Sequence, residues 1–93
     1  MNTANLQLEG LIMAVAALSN ALVAKGAISH KEIAAALGSA ERAVEDDDSR
    51  GLSDSNRAAT LFPIRVLALA NEAAQRGRNL TFSDYAELVG KLT

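Results

Sequence analysis

The stretch Leu6 to Ala24, LQLEGLIMAVAALSNALVA, limits what this chain can fold into more than any other. Wound at 3.6 residues per turn, it places Leu8, Leu11, Val15, Leu18 and Leu22 on one face, with Ile12 and Val23 beside them. That pattern predicts a helix whose leucine stripe enters a core. The opposite face carries Gly10, Met13, Ala17, Ala21 and Ala24, so that Gln7, Glu9, Ser19 and Asn20 are nearly the only polar groups. A helix apolar almost all round has to be covered almost all round. The sequence therefore predicts a second contact for the face of small residues, met by another copy of the chain.

The rest of the chain reads as further helices. Lys25 and Gly26 predict the end of the first one, since Gly adopts the left-handed conformation and Lys favours the negative end of the dipole. Ser29 followed by Glu32 has the spacing of a capping box, with Ile28 placed to staple onto Ile33. Ile33, Ala36, Leu37, Ala40 and Val44 continue that second helix's buried face, with Gly38 as a weak point in its middle. Pro63 stands within a third helical pattern, Asn56 to Arg76, and predicts either a restart or a kink, the kink being preferred. Phe62, Val66, Leu69 and Ala73 form one apolar face of it, while Arg65, Glu72 and Arg76 share the solvated one. After Gly77, Thr81 and Asp84 repeat the capping pattern, and Tyr85, Leu88, Val89 and Leu92 bury a short fourth helix.

Residues 28–38 and 80–90 share one pattern of apolar, hydroxyl, acidic, alanine and glycine positions. The expected fold is all-α, a small bundle of about four helices built as two helical hairpins joined by an acidic linker. One domain spans 1–93, with hairpin 1 at about 5–45, the linker at about 46–54 and hairpin 2 at about 55–92. A core of this size is small, which makes self-association a reasonable expectation.

Composition narrows the function classes. The chain has no cysteine, which excludes disulfides, thiolate catalysis and cysteine-held metals. A formal net charge of −2 argues against general binding to nucleic acid or anionic membrane. The apolar run Leu11 to Leu18 is short for a membrane span and no basic residue precedes it, so a core helix in a cytoplasmic protein is expected, with no membrane contact. His30, the single histidine, is expected on the surface of the second helix's first turn, and no Ser/His/Asp constellation or phosphate loop accompanies it. Residues 41–54 hold six acids and two bases, whereas 55–78 hold four arginines and one acid, a segregation suited to pairing or steering.

Two local resemblances bear on function. Gly26, Ile28, Ser29 and Glu32 stand at the spacing of the second half of an EF-hand calcium loop. The first half of such a loop supplies carboxylates, and here Ala21, Val23 and Lys25 occupy those positions. Glu32 to Val44, EIAAALGSAERAV, resembles a helix-turn-helix, with Ala34, Gly38 and Val44 at its crossing positions. That resemblance implies DNA recognition by a helix from Ser39 to about Asp48, a segment with five acids and one arginine.

The sequence thus points first to a small protein-interaction module without catalysis, cofactor or metal. It is expected to be a homodimer with Gly10, Met13, Ala17, Ala21 and Ala24 as the self-association face, and to accommodate a further protein partner. A DNA-binding regulator using residues 32–48 and an accessory subunit of an enzyme are the alternatives. Because a ligand that binds only the folded state raises Tm, millimolar calcium is expected to leave the melting temperature unchanged. A rise seen with calcium and not with potassium would contradict the capping-box reading of both joints.

Overall fold

The computed structural model describes residues 3–47 and 51–92, apart from the side chains of residues 91 and 92. The described residues form four α-helices and no strand: α1 Thr3–Ala24, α2 His30–Glu45, α3 Asp54–Gln75 and α4 Phe82–Leu92. Residues 48–50, in the middle of the expected acidic linker, lie outside the described residues.

Local chemistry sets the helix ends. Gly26 has φ 76°, and the Gly26 and Ala27 amides donate to the Val23 and Leu22 carbonyls at 2.9 and 3.0 Å. Gly77, at φ 75°, and Arg78 repeat the arrangement on Ala74 and Ala73 at 3.0 and 2.8 Å. Both are Schellman closures, which satisfy carbonyls that a helix end leaves without partners. The capping box of α2 is reciprocal: the Glu32 amide donates to Ser29 Oγ at 3.0 Å and the Ser29 amide to Glu32 Oε1 at 2.9 Å. Thr81 and Asp84 form the same pair of bonds at 3.1 Å in front of α4. The two joints are alike in geometry as well as in sequence pattern. Ser53 caps α3 through the Asn56 amide.

α3 runs without interruption through Pro63, the continuous helix of the two options left by the sequence. It is also the hub, since α2, α1 and α4 all pack on it, α2 most extensively. Val66, with no exposed surface, lies in a cluster with Ile12, Ala73, Tyr85 and Val89, flanked by Leu8, Phe62, Leu67 and Leu69. Phe62 and Phe82 meet edge-to-face with centroids 6.4 Å apart, fixing α4 against α3. The buried Tyr85 hydroxyl accepts the Leu80 amide at 3.2 Å, so burial leaves it satisfied.

Two polar residues act against expectation. His30 is half-buried instead of solvent-facing, and it locks α2 to α3 through Asn71, itself 7 % exposed. Asn71 Nδ2 donates to the His30 carbonyl at 2.8 Å, which orients the amide and leaves Oδ1 to accept from His30 Nδ1 at 2.8 Å. The Nδ1 position therefore carries the proton. Arg65, expected on the solvated face, instead reaches across to α2, with Nε 2.9 Å from Glu41 and Nη2 3.6 Å from Glu45. Part of the segregated charge is thus spent within the molecule.

The largest correction concerns α1. Its only buried residue is Ile12, with Leu8, Ala16, Ser19 and Val23 half-buried around the same side. Leu11, Val15, Leu18 and Leu22, read from the sequence as core, face solvent, Leu11 and Leu18 with 62 % and 66 % of their surface open. The reason is competition between stripes: in a helix apolar on every side, the leucine face is not the only one able to pack, and α3 takes the Ile12 face. The radius of gyration, 13.7 Å, exceeds the roughly 12 Å expected for a compact 93-residue chain.

Removing the Asn71 side chain leaves the half-buried His30 Nδ1–H without its acceptor and empties a buried site between α2 and α3, so Asn71→Ala is expected to cost about 2 kcal/mol and to lower Tm by on the order of 10 °C. The exposed Asn79→Ala serves as control and should stay within about 0.5 kcal/mol. Urea unfolding followed by helical circular dichroism compares the two.

Candidate interaction surface

Which part of this surface has features that call for a partner? The chemistry-bearing groups are accounted for locally. Glu32 is engaged in its capping box and His30 in the Asn71 pair, while Glu41 and Glu45 hold Arg65. Among the described residues no group of three or more His, Asp or Glu side chains is gathered as a metal would need. Asp46 serves as the C-cap of α2 and Asp47 is half-buried, while Asp48 lies outside the described residues. The segment resembling a helix-turn-helix contains no turn, because α2 continues across Gly38 as far as Glu45. A reading helix set at an angle to its neighbour does not exist within residues 32–45.

The outer side of α1 is different. Leu6, Leu11, Met13, Val15, Leu18 and Leu22 are all exposed, and they account for most of the exposed large apolar side chains among the described residues. Gly10, Ala17, Ala21 and Ala24 are exposed as well, so the five residues of the expected self-association face lie together on open surface. No charged side chain interrupts the exposed arc; the one acid, Glu9, is half-buried towards the α3 side. From the exposed fractions, the six large side chains present on the order of 600 Å², the upper end for the largest apolar patch of a typical monomer. By length and composition α1 also meets the requirement for crossing a membrane, which the short uninterrupted run Leu11 to Leu18 had concealed.

A second apolar feature lies at the other end of the same helix. Asn5 and Leu8 of α1, Ala58, Ala59 and Phe62 of α3, and Phe82 and Val89 of α4 line an open groove of about 570 Å³. Small residues on α3 leave the space, and the aromatic pair forms one wall. The sequence pattern showed Phe62 as a core position but not the groove, which depends on how α4 is angled against α3.

No family model matches this chain, and neither a curated protein nor a solved structure matches it.

Proposed function

We propose that this protein is a non-catalytic interaction module of the cytoplasm that works as a homodimer, with α1 as the element through which it self-associates. The observation that carries the reading is the imbalance of α1, which buries one residue against its own chain and leaves six large apolar side chains in water. Leaving that surface open is unfavourable, since burial of apolar area is the main favourable term in association. The small-residue face from Gly10 to Ala24 belongs to the same exposed arc and permits close helix approach. Homodimers with two-fold symmetry are the commonest way for one patch to cover itself.

A single chain that binds through an apolar arc needs neither cofactor nor metal, and the engaged states of His30, Glu32 and Glu41 fit a scaffold better than a reacting site. The groove beside Phe62 and Phe82 offers room for a further protein segment once α1 is paired.

Light scattering across 1–100 µM is expected to give twice the chain mass at the upper end, with dissociation on dilution. Tm should rise with protein concentration, because association binds only the folded state. A monomer throughout this range would overturn the reading.

A further inference from the structure

We propose that the dimer seam is the leucine stripe Leu11, Val15, Leu18 and Leu22, and that a second copy of α1 packs on it in antiparallel orientation. This rests on the self-association reading above and deepens it by naming the seam and its geometry. The four positions are separated by four, three and four residues, the alternation of a coiled-coil a/d seam. Read from either end the intervals are the same. An antiparallel partner about a two-fold between Ala16 and Ala17 therefore sets Leu11 against the partner's Leu22 and Val15 against the partner's Leu18. All four layers then join large side chains.

Three observations favour a second copy as the occupant. Leu11, Leu18 and Leu22 lie clear of the chain's own core, which α1 meets through Ile12, while Val15, at the inner edge of the stripe, borders a small cavity with Ile33, Leu37 and Leu67 and keeps 37 % of its surface open. Its most open residues, Leu11 and Leu18, sit in the interior of the helix, where a partner helix lies deepest. The four stripe side chains present on the order of 400 Å², about half of the 800 Å² or so that each partner contributes to a standard interface, which suits a dimer that dissociates on dilution. The arc carries no charge to specify a foreign partner, and antiparallel alignment sets the two helix dipoles favourably. The small-residue face around Ala17 is over a quarter-turn away on the helical wheel and stays outside this seam.

Two measurements test it. Leu18→Glu places a charge in every copy of the seam and is expected to raise the dimer dissociation constant by about 100-fold or more, with helical circular dichroism of the monomer retained. Ala17→Glu is expected to change it by less than about threefold. Independently of both variants, Ala4→Cys gives a unique labelling site in a chain without cysteine, in line with the stripe and beyond its first leucine. Antiparallel packing about that two-fold separates the two labels by on the order of 40 Å along the axis, given a rise of about 1.5 Å per residue. In-register parallel packing brings them within about 15 Å and allows them to form a disulfide. A dimer that survives Leu18→Glu but is lost with Ala17→Glu overturns the seam while leaving self-association standing, and a short label distance overturns the orientation. Wild type that is monomeric in solution and floats with phosphatidylcholine vesicles assigns α1 to lipid and overturns the seam together with the reading beneath it.

Discussion

The packing of three helices onto α3 is the constraint from which the rest of this structure follows. Val66 is fully enclosed because α1 supplies Ile12 and α4 supplies Tyr85 and Val89 to the same cluster. α2 docks beside it, held at one end by the His30–Asn71 pair and towards the other by Arg65 on Glu41 and Glu45. The two kinds of contact do different work. Apolar burial provides most of the favourable free energy and has little directional preference. The Asn71 amide satisfies two groups with fixed geometry and so specifies the register of α2 on α3. The Arg65 bridges are about one-third exposed or more on either side, and their net contribution is correspondingly small.

What the sequence made legible was local. The Ser29/Glu32 and Thr81/Asp84 boxes and the Gly26 and Gly77 closures need only residues within five positions of one another, and each is present where the pattern implied. Helix existence and type follow from the same short-range chemistry. Pairings across the chain were not legible in that way. Asn71 and His30 are 41 residues apart, and neither residue type announces a partner at that distance. Arg65 stood in a charged pattern that fits a solvated face equally well. The groove beside Phe62 depends on the angle between α3 and α4, a property of packing that no periodicity encodes.

The misplacement of the leucine stripe is more instructive, because periodicity was present and still pointed the wrong way. A hydrophobic repeat identifies which side of a helix is to be buried only when the other sides are polar. In α1 the Ile12 side holds Ser19 and Glu9, and the leucines lie about a quarter-turn from it, so by composition a more apolar side is the open one. Volume explains the choice. Ala16 and Ser19 are small enough to let α1 approach α3 with Ile12 and part of Leu8 inserted, whereas a stripe of four large side chains needs a deeper surface to receive it. α3 already presents Leu67, Leu69 and Phe62 around Val66, so Ile12 completes a cluster that is built around it.

Under the proposed self-association, this division of labour ties folding to assembly. Within one chain α1 is held by Ile12 and a few half-buried neighbours, a small hydrophobic contribution for ordering 22 residues. Two closely matched consequences follow from covering its outer stripe with a second copy. The helix gains a second contact along the side that the first leaves open, and the face it presents to α3 is stiffened against fraying. Because Ile12 belongs to the same cluster as Val66, Tyr85 and Val89, any gain in the docking of α1 is passed to α4 through a continuous packed core. In the proposed dimer the groove between α1, α3 and α4 is coupled to assembly, since Leu8 lines that groove one turn before the stripe begins. Association through Leu11 to Leu22 in that proposed dimer reaches the groove along α1, the helix that borders both.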